Sequence, residues 1–237
     1  MKSVTKTERI YFKVGNINGL AFTECQVEFD WYMGMSWQVR QRSSISMHKS
    51  INKNEPGLKI LEVSTKSTNY ELGKSLSAFN LTLNGIRVEN IFQSSKIFND
   101  GGPYVDLLSV DPSIAKKDHR IQIGKEQPNR KLIKFKYNNL EMPLEPKSLF
   151  YDYIYIRALS QHPNLMDKIL EYDIFTDIEF NQKVPYASKK GPFNCQARAC
   201  AIFVWLNRNN LLDKYIYNPF EFTELIYPPS QKSLLGI

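Results

Sequence analysis

Between Val88 and Phe98 the chain reads VENIFQSSKIF, and Glu89, Gln93 and Lys96 recur there at intervals of four and then three. This spacing predicts a helix over 88–98. At about 100° per residue, the three side chains fall on one face within some 20° of rotation. Val88, Ile91, Phe92 and Phe98 supply apolar surface around the rest of the helix, which would let the polar stripe face a pocket. Glu89 and Lys96 would stand about 10 Å apart along the axis, room enough for a ribose. A carboxylate and an amine so placed suit attack on a glycosidic carbon. The acid moves protons, and an amine whose pKa is lowered by burial captures an opened sugar as a Schiff base. The same spacing also describes the outer face of an ordinary amphipathic helix.

Other polar groups offer themselves around this stripe. Gly101 to Pro103 would end the helix, because glycine tolerates the left-handed conformation and proline cannot continue a helix. Tyr104 either stacks on a base or ribose or packs in the core. In FTDIEFN, alternation predicts a short strand from Phe175 to Phe180 that presents Asp177 and Glu179. Asn194 is placed to cap a helix from Cys195 to about Arg208. Arg198 on that helix either joins the acids at a ligand or forms an internal ion pair with Asp152 or Asp177. His48, His119 and His162 are scattered, and Cys25, Cys195 and Cys200 match no zinc spacing. A histidine-based metal site or a Ser/His/Asp triad therefore has little support, the cysteines are too few for a disulfide framework, and no cofactor is expected. Carboxylates, lysines and tyrosines remain for any catalysis.

The elements that must position these groups follow from periodicity. Two strands of a hairpin are expected within residues 9–30, and a further short strand at Lys59–Ser64. Trp37 to Ile51 is a basic, partly amphipathic segment carrying Arg40, Arg42, His48 and Lys49, either a solvated face or a phosphate-contacting patch. Lys147 to Leu159 is apolar nearly all round, which marks a buried helix whose Asp152 must find partners. Pro163 opens the next helix, to Tyr172. Asn181 to Gly191 is a polar loop, and the proline-bearing segment after Tyr217 reads as a peripheral tail. The whole comprises 237 residues, 42% hydrophobic, sufficient for one sizeable core. A formal charge of +7 favours a polyanionic partner such as nucleic acid or a nucleotide. No apolar run approaches the roughly 20 residues of a membrane span, and the charged start of the chain resembles no signal segment, so no membrane partner and a cytoplasmic protein are expected.

Several uncommon strings in one order, LSAFNL, VENIFQSSKIF, GGPY, LFYD, QHPNL, DIEF and FNCQARA, resemble the NADAR (YbiA-like) superfamily over about residues 60–213. The wording is most similar to members encoded beside DarT-type toxins. The resemblance implies a fold that is mainly α (α+β), a compact helical domain with a small antiparallel β element near the N-terminus. It implies three parts: residues 1–59 packed on the core, a catalytic domain at 60–213, and a tail at 214–237. It also implies an N-glycosidase that removes ADP-ribose from guanine bases of DNA and acts as an antitoxin to a DarT-type toxin, with ADP-ribose as product. Carried over residue by residue, Glu89 and Lys96 match the glutamate and lysine of the signature helix, Gln93 its glutamine, and Glu179 the acidic position of the later strand. Glu89, Lys96 and Glu179 are then the catalytic candidates. Phe79, Asn80, Gln93, Gly102, Tyr104, Lys147, Asp152, Asp177, Asn194 and Arg198 are the substrate-binding ones. Lys147 corresponds to a lysine of YbiA-type members that follows an Asp–Trp pair, where this chain has Met142 and Pro143. Two other functions stay open: an N-glycosidase of a small ribosylated metabolite of the riboflavin-intermediate type, and a non-catalytic antitoxin that binds ADP-ribose or a toxin.

Overall fold

The structure is a computed structural model that describes residues 4–17, 19–122, 129–179 and 194–228. Its elements begin with β1 (Val4–Val14), β2 (Phe22–Tyr32), α1 (Trp37–Asn54), β3 (Ile60–Glu62), α2 (Tyr70–Leu76), β4 (Thr82–Leu83), β5 (Ile86–Arg87), α3 (Val88–Ser94) and β6 (Lys96–Phe98). They continue with α4 (Pro112–Lys117), β7 (Leu132–Tyr137), β8 (Leu140–Pro143), α5 (Leu149–Ser160), α6 (Pro163–Ile169), β9 (Ile174–Thr176), α7 (Gln196–Arg208), α8 (Leu212–Tyr215) and α9 (Pro219–Ile226). Among the described residues, no helix is long and apolar enough to cross a membrane.

Successive side chains of a strand point to opposite faces, so a central strand must be covered on both sides. In β1, Ile10 and Phe12 enter the main core while Tyr11 joins a second cluster behind the sheet. α1 covers that second face, setting Met47 and Ile51 against Tyr11, Val27 and Phe29. The basic segment is thus an amphipathic helix, with Arg42 and Lys49 on its exposed side. On the other face lies α7, with α5 packed against it, and both are buried along most of their length. Ala197, Ala199, Cys200 and Ala201 keep α7 slim enough to pack closely among its neighbours.

The expectation of a mainly helical fold with one small β element is overturned. The described residues are 43% helix and 23% strand, an α+β mixture with three sheets among them. The β1–β2 hairpin is not a satellite. Phe12 and Lys13 pair with β9, which pairs in parallel with β3, giving a four-stranded sheet ordered β2-β1-β9-β3. A second sheet is the short β4–β5 ribbon, and the third is β6-β7-β8.

Two element boundaries differ from the periodic pattern for identifiable reasons. α3 stops at Ser94, because the hydroxyls of Ser94 and Ser95 donate to the Ile91 carbonyl at 3.1 and 2.5 Å and Lys96 to Phe98 pair with β7. Such local side-chain bonds compete with helix continuation. The strand expected over 175–180 ends at Thr176, since the Ile178 N–H turns to the Glu62 carboxylate, 2.9 Å away. Phe180 and the expected loop at 181–191 lie outside the described residues. The segment expected to be a peripheral tail contains α9, whose Phe222 and Ile226 sit in the main core. Asp152, the buried acid of α5, accepts from Arg198 of α7 and, at 2.5 Å, from the Tyr227 hydroxyl.

Candidate active site

A cleft of about 400 Å³ opens where the ends of several elements converge. One wall is the chain leaving β3, Ser64 and Thr65. The opposite wall is the turn between α2 and β4, Ser77 to Asn80. Asp177 and Glu179 enter after β9, and Asn194, Cys195 and Gln196 at the start of α7; Glu89, Tyr151 and Lys116 complete the lining. The volume is within the range of small-molecule sites.

The walls are held by backbone and amide bonds that the local sequence dictates. Gln196 braces them from α7, donating to the Val63 carbonyl at 2.6 Å and accepting from the Ala78 N–H at 3.1 Å. The Glu89 N–H donates to the Ala78 carbonyl at 3.0 Å, which seats the first turn of α3 against the same loop. Gly73 allows α2 to press on the first wall. A Cβ at this position would stand 2.4 Å from the Ser64 carbonyl oxygen, so no other residue fits without moving the backbone.

Glu89 is only 2% exposed. Its carboxylate accepts from the Gln93 amide at 2.8 Å, and the Gln93 carbonyl oxygen accepts from the Lys96 ammonium at 2.6 Å. The Lys96 ammonium also lies 5.1 Å from the centre of the Phe92 ring. Burial brings the Lys96 amine down to about 8, against the opposing pull of Glu89. The three residues are therefore joined, though not by the predicted geometry. Lys96 belongs to β6, and the turn after Ser94 brings it back toward Gln93. It is absent from the residues that line the cleft.

A second carboxylate lies behind the Asp177–Glu179 wall. Glu62, fully buried, accepts from Ser64 Oγ at 2.5 Å, Thr176 Oγ1 at 2.7 Å and the Ile178 N–H at 2.9 Å. Desolvation pushes its pKa up, and these three donors pull it back. His48 of α1 bonds to the same threonine hydroxyl at 2.8 Å. Because that hydroxyl donates to Glu62, the Nε2 atom of His48 must carry its proton. Burial lowers the His48 pKa to about 4, so the ring is neutral. Glu62 thus fixes the direction of the chain that carries Asp177 and Glu179. At the mouth Glu179 pairs with Lys66 at 3.7 Å, and the exposed Lys116 ammonium covers the Phe79 ring at 5.3 Å.

Of the residues singled out from sequence, Glu89, Glu179, Phe79, Asn80, Asp177 and Asn194 meet at this cleft, and Gln93 and Lys96 stand behind Glu89. Gly102, at φ +106°, supports Lys96 from the main chain: a Cβ there would come within 2.2 Å of the Lys96 carbonyl oxygen. Tyr104 does not offer its ring to the cleft. Its hydroxyl accepts from Arg130 at 2.8 Å, and the Arg120 guanidinium sits 5.1 Å from its ring centre. Lys147 precedes α5 and is not among the lining residues. Asp152 and Arg198 are a correction: at 0% and 2% exposure they form a buried pair that ties α5 to α7, the internal alternative. Asn194 lies ahead of α7 rather than capping it, and Cys195 occupies the N-cap position.

Sequence reasoning missed Ser64, Thr65, Ser77, Tyr151, Lys116, Cys195 and Gln196 as lining residues, and Glu62 behind them. One signal was present for Glu62, an acid between Leu61 and Val63 in an apolar strand. The glutamine of the FNCQARA string was a second.

Compared with known proteins, the chain matches the model of one family, described as the DarT1-associated NADAR antitoxin, over residues 7–234. No curated protein matches it.

Proposed function

From a chain that belongs to the DarT1-associated NADAR antitoxin family, we propose an N-glycosidase that removes ADP-ribose from guanine bases of DNA and so reverses the damage done by a DarT-type toxin. The observation that carries this reading is the hydrogen-bonded series Glu89–Gln93–Lys96, which joins a buried acid on the wall of a sugar-sized cleft to an amine whose pKa burial lowers to about 8.

Breaking the bond between the anomeric carbon and the base nitrogen leaves the electron pair on the base, which takes up a proton, and builds positive charge on the ribose. Glu89 faces that charge from a site sheltered from water, where its attraction is strongest. Asp177 and Glu179 add negative potential along the same wall. Lys116 and Lys66 at the mouth receive the pyrophosphate.

Lys96 then adds to the anomeric carbon as a neutral amine. The ring opens as the C–O bond breaks, the ring oxygen takes a proton and an imine forms. Water adds to the imine and frees both the lysine and ADP-ribose. The net reaction consumes one water. A second reading is favoured by the absence of Lys96 from the cleft lining: the ammonium orients Glu89 through Gln93, and water attacks the sugar directly.

The test is turnover of an oligonucleotide carrying one ADP-ribosylated guanine. Wild type should release ADP-ribose, and Glu89→Gln should lose at least about a hundredfold. Equal turnover by wild type, Glu89→Gln and Lys96→Ala would reject the assignments. Borohydride reduction during turnover should leave ADP-ribose bonded to Lys96 in the first mechanism and nothing in the second. A metabolite enzyme would be recognised by cleavage of a small ribosylated amine with little dependence on salt. A pure binding protein would still protect cells as its Lys96→Ala variant.

A further inference from the structure

Exposed apolar side chains gather beside the mouth of the cleft. Met33, Met35, Trp37 and Tyr70 are 47%, 87%, 39% and 39% exposed. Trp37 and Tyr70 meet edge to face with ring centres 6.2 Å apart. Cations are interleaved with them. The Lys74 ammonium lies 5.6 Å from the Tyr70 ring centre, and the Arg40 guanidinium 5.2 Å from that of Trp31, with a further contact to the Met35 sulfur at 3.7 Å. Arg42 approaches Tyr32 at 5.9 Å.

This surface is built into the walls of the cleft at two points. Trp37 Nε1 donates to the Thr65 carbonyl at 2.6 Å, and the Asn80 side-chain amide donates to the Lys74 carbonyl at 2.9 Å. Thr65 and Asn80 both line the cleft. A ligand seated there and a strand lying on the aromatic patch would therefore be continuous.

We propose that this patch binds the single-stranded nucleic acid flanking the modified base, with bases stacking on Trp37 and Tyr70 and phosphates meeting Arg40, Arg42 and Lys74. The inference rests on the reading of the cleft as acting on an ADP-ribosylated base, and it adds that the strand must be unpaired. Exposed rings with cations beside them suit bases whose faces are free, and a duplex keeps its base faces stacked inside. Arg40, Arg42 and Lys74 match a polyanion, as does the formal charge of +7. An acidic protein partner would pair with the cations but would leave the exposed rings of Trp37 and Tyr70 without flat bases to stack on.

The experiment measures binding of the full chain to an unmodified single-stranded oligonucleotide and to its duplex by fluorescence anisotropy. It then measures turnover of the same strand carrying one ADP-ribosylated guanine and of ADP-ribosylated guanosine alone. Wild type should bind the single strand at least about tenfold more tightly than the duplex. Tyr70→Ala and Trp37→Ala should each weaken single-strand binding about tenfold or more. Both should lower turnover of the modified strand, and Tyr70→Ala should leave the guanosine conjugate unchanged. Trp37→Phe, which keeps a ring and loses the bond to Thr65, should retain most of the affinity, and circular dichroism of each variant checks the fold. Unchanged strand affinity in the alanine variants would overturn the proposal, and so would equal losses of Tyr70→Ala on the strand and the nucleoside. A DarT-type toxin that binds wild type but not Trp37→Ala, while the oligonucleotide binds both alike, would assign the patch to protein instead. Failure of wild type to turn over either substrate would reject the catalytic reading alone, because binding of the unmodified strand is measured without catalysis.

Discussion

Raising the pH from 6 to 8 should increase cleavage steeply, because the Lys96 amine loses its proton over that range. Burial among Phe92 and its neighbours brings this amine from 10.5 down to about 8, with Glu89 opposing the shift. On that value the neutral fraction is about 1% at pH 6, about 10% at pH 7 and about half at pH 8. Imine formation needs the neutral form. The single-turnover rate should therefore climb about tenfold per pH unit below 8 and level off above it. The Gln93 carbonyl oxygen accepts from the ammonium and favours the charged form, so Gln93→Leu should move the rising limb to lower pH. The assay is release of ADP-ribose from a modified single strand with enzyme in excess, at constant ionic strength, from pH 5.5 to 9.5. A profile that falls as pH passes through 8 would show that the ammonium is the working form, and a flat one that Lys96 plays no part. Either would refute the nucleophilic role.

Removing one member of the buried pair in Asp152→Ala should cost about 3–5 kcal/mol in urea unfolding, because Arg198 keeps its charge in a dry interior. The folded fraction should bind ADP-ribose as wild type does, since neither residue lines the cleft; an intact stability with lost binding would reverse the structural assignment. Gly102→Ala forces a side chain against the Lys96 carbonyl oxygen at positive φ. It should destabilise the protein by at least about 1 kcal/mol and slow turnover; a neutral outcome in both assays would show that this contact does not hold Lys96. Glu62→Gln keeps the shape but turns one acceptor into a donor among Ser64, Thr176 and Ile178. It should cost about 1–3 kcal/mol in thermal or urea unfolding, with kcat falling more than KM rises, and unchanged kinetics would separate Glu62 from the Asp177–Glu179 wall.

Where the sequence was informative, one element could be read without its neighbours. Alternation at Ile10, Phe12 and Val14 located the first hairpin, and the nearly all-apolar helix α5 made Asp152 conspicuous enough to name Arg198 as a possible partner. The grouping of Glu89 with Asp177, Glu179, Phe79 and Asn80 came from strings characteristic of the family, not from periodicity. What stayed hidden depended on distant segments. The end of α3 is set by pairing with β7, about forty residues on, which no helical spacing within VENIFQSSKIF can register. The weight of β structure was missed for the same reason. Short strands were expected near β3 and β9, but not their pairing with β1 and with each other, which draws the hairpin into a four-stranded sheet, and β4 to β8 were not expected at all. Glu62 was passed over because its partners come from Ser64, Thr176 and Ile178, two of them more than a hundred positions away.

The anchoring of Tyr227 on Asp152 has a temporal side. During synthesis Asp152 emerges well before Arg198, and Arg198 before Tyr227, while β1 waits at the start of the chain for β9. Pairings between such remote segments form late and slowly. Nascent chains of this protein thus cannot finish this interior until Tyr227 has left the ribosome. A cell that relies on the protein for rescue must keep a stock of completed molecules, because those still being translated offer no protection.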